Sequence, residues 1–394
     1  MAGRSQNALL AAARVARDVA VERVKRPKAT RYEDVPSSVA AITPEWLSAV
    51  LCRDVPGAQV LDVSARTASS GTHQRDRLLV AYNEAGRAAG LPTSIFTKST
   101  PTIVTRMMCG FNGTARVEGQ FYMNVRPLLD IEAPIGYHAA FDRESMRSML
   151  LLEDLVATKD ATFANFRTYV TRPMAEEIVD TLASLHGRFY NDPVLDGFKW
   201  LADYGAWFRI GSTKMRTEHY TAKALDKASH LIPAGVLARR QEVWPAVVRG
   251  AEVHDVRPRS FLHSDVHIGN WYINSAGGMG LCDWQCPSKG HWSRDVSYAL
   301  SAALEPNDRR AWERELFARY LEHLSERTGE TFDPDDSWDL YRQQLFHALW
   351  MWTITLCHSP LLPSMQSEET SLTMIQRITT AIDDLDAFDS FSRR

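Results

Sequence analysis

Three polar side chains in one short stretch of this 394-residue chain have the types and spacing that a metal-assisted reaction requires. Asp265 and Asn270 lie in the pattern His-x-Asp-x-x-x-x-Asn, and Asp283 follows two short apolar segments. Residues 271–274 and 279–284 are predicted strands, because residues that favour a turn separate them. A hairpin of this length folds back on itself. The sequence therefore predicts that Asp283 returns to the neighbourhood of Asn270.

One carboxylate, one amide and a second carboxylate at one point fit the transfer of a phosphoryl group from ATP. The phosphates carry heavy negative charge that Mg²⁺ must neutralise, and hard oxygen ligands hold that ion. A separate carboxylate must orient and deprotonate the attacking hydroxyl group. We expect Asp265 to be this base, and Asn270 and Asp283 to bind the metal. The alternative is a surface hairpin of an unrelated α+β protein, in which the pattern arose by chance.

The pattern His263-x-Asp265-x-x-x-x-Asn270, followed by Asp283-Trp284, resembles the catalytic segment of the aminoglycoside phosphotransferase and choline kinase superfamily. It is most similar to the ecdysteroid-kinase-like branch of small-molecule kinases. Ser264 is a departure, since this family usually has Gly there. The resemblance implies an α+β, bilobal, protein-kinase-like fold. Its N-lobe would be an antiparallel sheet with a helix, and its larger C-lobe would be mainly helical.

A Lys and a Glu in the first third of the chain fit the nucleotide-binding half of this fold. Lys98 ends an alternating apolar run that predicts a strand, and Glu118 lies on a helix predicted over 115–126 by its apolar spacing. Kinases carry a phosphate-binding Lys on the third strand and hold it with a helix-borne Glu. The resemblance implies this pair here. An exposed strand Lys and a solvated helix Glu are the alternative.

A turn between two predicted strands is a weaker motif. Residues 60–83 read as strand, turn and strand, and in a kinase such a hairpin covers the phosphates with backbone N–H groups. The turn would use Ser70, Gly71 and Thr72. Only one glycine is present, so an ordinary hairpin turn explains the stretch at least as well.

The boundary between the lobes is predicted near residue 155. Glu153 and Leu155 end a continuous apolar run and resemble the family's hinge, whose backbone would bind adenine. This divides the chain into three parts: a basic helical extension (1–33), an ATP-binding N-lobe (34–153), and a C-lobe for catalysis and acceptor binding (154–394).

Three further polar residues are interpreted as structural. His186, on a helix predicted over 174–190, is expected to pack in the core. His267 is expected to support the catalytic loop. The resemblance implies that Asp295, just before a helix, caps that helix and braces the same loop.

Composition excludes several classes of protein. A net charge of −3 gives no general argument for nucleic-acid binding, and no apolar run is long enough to span a membrane. Five cysteines without regular spacing argue against a disulfide framework, which fits a cytoplasmic protein. The first 31 residues carry eight basic and two acidic side chains. A helix that packs on the body or on a partner chain is expected there, and a membrane-surface or targeting role is the alternative.

The sequence thus predicts an ATP- and Mg²⁺-dependent kinase that phosphorylates a hydroxyl group of a small molecule. The segment after Asp283 passes promptly into GHWSRDVSYAL, which leaves little room for the long activation loop of a kinase that acts on proteins. The identity of the acceptor and the formation of a homodimer stay open. A nucleotide-binding pseudokinase that acts as an interaction module is the competing prediction.

Overall fold

Helices and mostly antiparallel strands form two compact units in this computed structural model, which describes residues 2–70, 73–111, 113–359 and 364–392. Unit 1 comprises Met1–Leu128, Ala133–Ala161 and Asp283–Gln285. Unit 2 comprises Leu129–Glu132, Thr162–Cys282 and Cys286–Arg394. The mixture of an antiparallel sheet in unit 1 and mostly helices in unit 2 confirms the predicted α+β class.

A five-stranded antiparallel sheet, in the order β1-β2-β3-β5-β4, is the centre of unit 1. Its strands are β1 (Val60–Ser70), β2 (Gln74–Tyr82), β3 (Ser94–Ser99), β4 (Gly136–Phe141) and β5 (Ser148–Glu153). Its helices are α1 (Ala2–Lys25), α2 (Pro44–Leu51), α3 (Glu84–Ala88), α4 (Ile103–Phe111), α5 (Thr114–Asn124) and α6 (Leu155–Lys159), with short 3₁₀ turns at Val39–Ala41 and Arg126–Leu128.

Each face of this sheet has its own helix because side chains alternate between the faces along a strand. Ile95 and Met149 belong to a core cluster that also contains Trp46 of α2. The Thr43 side chain caps the start of α2, since it accepts a hydrogen bond from the Trp46 N–H at 3.2 Å. Lys98, three positions after Ile95, points to the opposite face of β3. The helix over 115–126 and the strand that carries Lys98 are confirmed as α5 and β3.

The basic N-terminal segment is a helix that packs on the body of unit 1. Val15 and Val19 of α1 are buried, and Glu22 forms an ion pair with Arg106 of α4. The Arg106 side chain is fully buried, and its Nε donates to the Thr100 carbonyl at 3.0 Å. The α1 helix is therefore anchored by a buried charge pair as well as by apolar contacts.

Unit 2 is built from helices and two small sheets. Its helices are α7 (Arg172–Arg188), α8 (Val194–Gly197), α9 (Tyr204–Met215), α10 (Thr217–Lys227), α11 (Ala234–Ala238), α12 (Arg240–Val256), α13 (Ser293–Ala303), α14 (Pro306–Thr328), α15 (Pro334–Leu356) and α16 (Glu368–Asp384). Its strands are β6 (Thr162–Phe163), β7 (Ala202–Asp203), β8 (Ser260–Leu262), β9 (Trp271–Ile273), β10 (Met279–Leu281) and β11 (Ser288–Gly290). Short 3₁₀ turns lie at Ser229–Leu231, Ile268–Asn270 and Ala387–Phe391.

The α15 helix forms the core of unit 2, and most of its side chains are buried against α12, α13 and α16. Asp333 caps its start, because the Asp333 carboxylate accepts from the Asp336 N–H at 2.7 Å. None of the helices in the described ranges has the length and apolar character needed to cross a membrane.

Candidate active site

Lys98 lies at the centre of a cluster of charges in unit 1. Its ammonium group is 2.6 Å from Glu118 Oε1 and 2.7 Å from Asp283 Oδ1. Glu118 projects from α5, and Asp283 belongs to the three-residue segment that completes this unit. Lys98 and Glu118 are almost fully buried, with 6% and 1% of their surfaces exposed. The structure thus brings together three predicted site residues that lie far apart in the sequence.

The charged groups of this cluster keep one another ionised. Burial alone would lower the pKa of Lys98, but the two carboxylates raise it above its usual value. Burial alone would raise the pKa of Asp283, but the Lys98 ammonium group holds it well below its usual range. Asp283 is therefore a carboxylate at neutral pH. Burial raises the pKa of Glu118, and Lys98 opposes that shift.

A ring stack fixes the segment that carries Asp283. Trp284 lies parallel to Phe121 of α5, with ring centroids 3.8 Å apart and an interplanar angle of 7°. Phe121 is three residues after Glu118, so the same face of α5 holds both the Lys98 partner and the Asp283 segment. Gln285 also donates to Asp283 Oδ1 at 2.5 Å. The sequence shows the Asp-Trp and Glu-x-x-Phe patterns, but it does not show that their rings stack.

Asp265 and Asn270 are brought together by a second cluster, in unit 2. The Asn270 side-chain N–H₂ donates to the Asp265 carbonyl at 2.7 Å and to its carboxylate at 3.2 Å. The Tyr298 hydroxyl donates to the other Asp265 oxygen over a long 3.4 Å, and His267 Nε2 lies 3.8 Å from that oxygen. Burial, followed by the Asp265 charge, raises the pKa of Tyr298 well above its usual value, so this hydroxyl group remains a donor. Sequence reasoning missed Tyr298.

Asp295 braces the loop that carries Asp265. Its buried carboxylate accepts from the His263 N–H at 2.7 Å and from the Ser264 N–H at 3.1 Å. The other predicted role of Asp295, as the cap of the following helix, is wrong. It lies inside the first turn of α13, whose N-cap position is Trp292. Its carboxylate is directed to the loop because the two adjacent N–H groups there need an acceptor.

The two histidines predicted to be structural, His267 and His186, both have hydrogen-bond contacts that fit a structural role. His267 caps the 3₁₀ turn Ile268–Asn270 by accepting from the Gly269 N–H at 3.1 Å. Buried His186 lies 2.8 Å from the Tyr320 hydroxyl and 3.5 Å from the Asp295 carboxylate.

The predicted hairpin after Asn270 is present as β9 and β10, paired antiparallel. Strand β10 ends at Leu281, earlier than predicted, and the Cys282 N–H then donates to the Asn270 carbonyl at 2.9 Å. Asp283 is the next residue in the chain. Asp283 has left-handed backbone dihedrals, with φ of 63°, which a strand does not accommodate.

The predicted adenine hinge lies where β5 ends and α6 begins. Glu153 ends β5, and its N–H donates to the Ile135 carbonyl at 2.8 Å, so it is not open to adenine. Leu155 is the first residue of α6, where a backbone N–H has no acceptor within the helix. Asp154 between them is held by Arg77 and by a 2.5 Å hydrogen bond from Ser94. Adenine binding here stays a prediction.

The predicted phosphate loop falls largely outside the described residues. Ser70 ends β1, whereas Gly71 and Thr72 are not part of the described ranges. The strands on either side pair as predicted, with Ser70 opposite Gln74.

Asn270 and Asp283 have the donor chemistry that Mg²⁺ requires. In the described part of the chain, the Asn270 amide uses its N–H₂ group for Asp265, which leaves its oxygen for a metal ion. Asp283 is ionised, as a ligand must be. Amide and carboxylate oxygens are the kind of protein ligand that Mg²⁺ takes beside water and phosphates. Among the described residues, no group of three or more His, Cys, Asp or Glu side chains could form a metal site.

Comparisons with known proteins identify the family. A model of the phosphotransferase enzyme family, APH, matches residues 138–335. The search of curated proteins gave no match.

Solved structures show the fold. A choline kinase from Cryptosporidium parvum Iowa II is 12% identical, with a TM-score of 0.53, over 84% of this chain and 93% of its own. A candidate aminoglycoside phosphotransferase from Ralstonia eutropha JMP134 is 14% identical, with a TM-score of 0.51, over 86% of this chain and 97% of its own. These similarities confirm the predicted kinase-like fold. The family match covers half of the chain and supports the class of small-molecule phosphotransferases. The chain belongs to the phosphotransferase enzyme family.

Proposed function

We propose that this protein is an ATP- and Mg²⁺-dependent kinase that transfers the γ-phosphoryl group to a hydroxyl group of a small molecule. The observation that carries the proposal is the buried Lys98–Glu118–Asp283 cluster. Lys98 and Glu118 are buried and the Asp283 side chain is 23% exposed. A fold gains little from such a cluster with a net charge of −1, because the removal of charges from water costs several kcal/mol. In a site that binds a nucleotide and a cation, each of the three charged groups has a function.

Unit 1 would bind the nucleotide. Lys98 would contact the ATP phosphates, and Glu118 would hold the flexible lysine side chain in the required direction. The start of α6 near Leu155 would contact the adenine. Ser70, Gly71 and Thr72 would cover the phosphates with their backbone N–H groups.

Unit 2 would supply the base and bind the acceptor. The acceptor hydroxyl would donate a hydrogen bond to Asp265, and its oxygen would attack the γ-phosphorus. The bond between that phosphorus and the β–γ bridging oxygen breaks, and its electron pair leaves with ADP. The hydroxyl proton passes to the Asp265 carboxylate. Asn270 and Tyr298 donate to Asp265 and would hold it in the orientation that accepts this proton.

Asn270 and Asp283 would hold the metal ion. When bound, Mg²⁺ neutralises the negative charge of the phosphates. The Lys98 ammonium keeps Asp283 deprotonated and therefore ready to bind a cation.

Turnover of ATP tests the proposal directly. ADP release should be measured with Mg-ATP and a panel of hydroxyl-bearing small molecules that includes choline and an aminoglycoside. With the acceptor that responds, Asp265→Asn should lower kcat by about 10² or more, because a positioned base contributes roughly 10²–10⁴. Asp142→Asn is the matched control, since this carboxylate lies on the β4–β5 turn.

The same experiment separates the competing functions. Lys98→Met should raise the Kd for Mg-ATP, whereas Asp265→Asn should leave that Kd nearly unchanged. Mg-ATP binding without turnover on any acceptor would favour a nucleotide-binding interaction module. If the protein has no Mg²⁺-dependent affinity for ATP, the proposal is wrong.

A further inference from the structure

A cavity of about 300 Å³ lies within unit 1 between α5 and the ends of β4 and β5. Lys98 and Glu118 form part of its wall, and His73 lies beside them. At one end α5 packs directly on β4, because a Cβ atom on Gly119 would lie 2.9 Å from the Ala139 Cβ. A volume of this size suits a small organic molecule.

The charges that line this cavity are unbalanced. Lys98 pairs with the two carboxylates of Glu118 and Asp283, so this cluster contributes a net charge of −1 and no free positive charge. His73 is neutral, since burial and then Lys98 lower its pKa to about 3. Half-buried Arg116 on α5 and exposed Arg143 on the β4–β5 turn also line the cavity. Within the described ranges, neither guanidinium group has an acidic partner.

Two unpaired guanidinium groups at one cavity define a class of ligand. Each presents a planar set of N–H donors that matches the oxygens of a phosphate group. Ser148 and Gln120 in the same lining add polar side chains. A phosphorylated molecule would offset the two positive charges and still have room for a small organic group in the remaining volume.

We propose that this cavity is a second ligand site, which binds a small phosphorylated molecule through Arg116 and Arg143. A ligand there contacts α5, the helix that carries Glu118. Occupancy would therefore stabilise the Glu118–Lys98 pair and strengthen nucleotide binding. This last consequence rests on the proposed kinase function, whereas binding itself does not.

The direct test uses inorganic phosphate as the probe. Calorimetric titration of the full chain, with Mg²⁺ and saturating AMP-PNP, excludes phosphate from the nucleotide site. We expect saturable binding with a 1:1 ratio, and the Arg116→Gln/Arg143→Gln variant should bind at least tenfold more weakly. The control variant Arg23→Gln/Arg66→Gln removes the same charge from exposed positions outside the cavity and should bind like the wild type.

Three outcomes would overturn the binding proposal. They are no saturable binding by the wild type, equal binding by the Arg116→Gln/Arg143→Gln variant, and loss of phosphate binding when AMP-PNP is present. The last outcome would assign the cavity to the nucleotide site. An occlusion variant, Ala140→Leu, gives a second measurement that leaves both arginines in place and should also weaken phosphate binding. Circular dichroism checks that each variant is folded.

Regulation is tested separately from binding. Saturating phosphate should lower the KM for ATP at least threefold in the wild type and should not change it in the arginine variant. Phosphate binding with an unchanged KM would refute the coupling to Glu118. Failure of the kinase proposal is distinguishable, because calorimetry without nucleotide still measures phosphate binding in a protein that has no turnover.

Discussion

The ion pair between Glu22 and Arg106 should hold the N-terminal helix on unit 1. Glu22→Gln removes the charge that opposes a guanidinium group with no exposed surface. Breaking a buried pair costs about 3–5 kcal/mol, because the remaining charge is left without compensation. Here Glu22 is 12% exposed, and Arg106 keeps its bond to the Thr100 carbonyl. We therefore expect a smaller loss than this range, about 2–3 kcal/mol.

Hydrogen–deuterium exchange of α1 measures this loss locally. Since about 1.4 kcal/mol corresponds to a factor of ten, a loss of about 2 kcal/mol should speed exchange in the last three turns of α1 by roughly 30-fold. Asp18→Asn is the matched control on the same helix. Its partner Arg17 is 70% exposed, so the change should be about threefold or less.

A double variant tests the physical reason. Glu22→Leu/Arg106→Met removes both charges, so no uncompensated charge stays buried and much of the protection of α1 should return. Equal exchange in Glu22→Gln and Asp18→Asn would refute the reasoning. Since Thr100 lies two residues after Lys98, Glu22→Gln should also raise the KM for ATP if unit 1 binds the nucleotide as proposed.

Three further predictions concern unit 2. Asp295→Asn should lower kcat at least tenfold and change the KM for ATP much less, because it removes the charge that holds the loop of Asp265; steady-state kinetics measure both. Burial lowers the pKa of His254 to about 3 from an ordinary 6.5, so the unfolded chain takes up a proton first as the pH falls. Urea unfolding should therefore show a loss of stability of up to about 1.4 kcal/mol per pH unit below 6.5 from this group, and a smaller loss in His254→Gln. Ser264→Gly should change the unfolding free energy by less than about 1 kcal/mol, because glycine adopts the left-handed backbone without strain and this gain offsets the lost hydrogen bond to Ser288. Ser264→Ala loses the same hydrogen bond and keeps the backbone strain, so it should be the less stable of the two variants.

Local patterns predict the elements that carry the site. The strand of Lys98 and the helix of Glu118 follow from apolar spacing over fewer than a dozen residues. The position usually occupied by Gly in the family has a physical explanation in the structure, since Ser264 has a φ of 68°. A sequence pattern can therefore show that a special backbone is required, although it cannot show which contact stabilises it.

Contacts between distant segments could not be predicted. Glu22 and Arg106 are 84 positions apart, and no sequence pattern around either residue indicates that the two form a pair. The stack of Trp284 on Phe121 also joins two segments that are far apart in the sequence, so no local pattern predicts it. The start of a helix at Leu155 was also not predicted. The apolar run before it gives no sign of where the chain changes from strand to helix.

Two non-glycine residues with left-handed backbone dihedrals lie in the stretch from which the site was predicted. Asp283 and Ser264 have φ values of 63° and 68°, and such a conformation costs about 1–2 kcal/mol for an L-residue. A buried charged group stabilises each of them. The Lys98 ammonium group pairs with Asp283, and the Asp295 carboxylate accepts a hydrogen bond from the Ser264 N–H. Strain of this kind persists only where surrounding contacts over-determine it, as they do at functional sites. The backbone conformation of these two residues therefore indicates, independently of the sequence motif, that this stretch is a functional site.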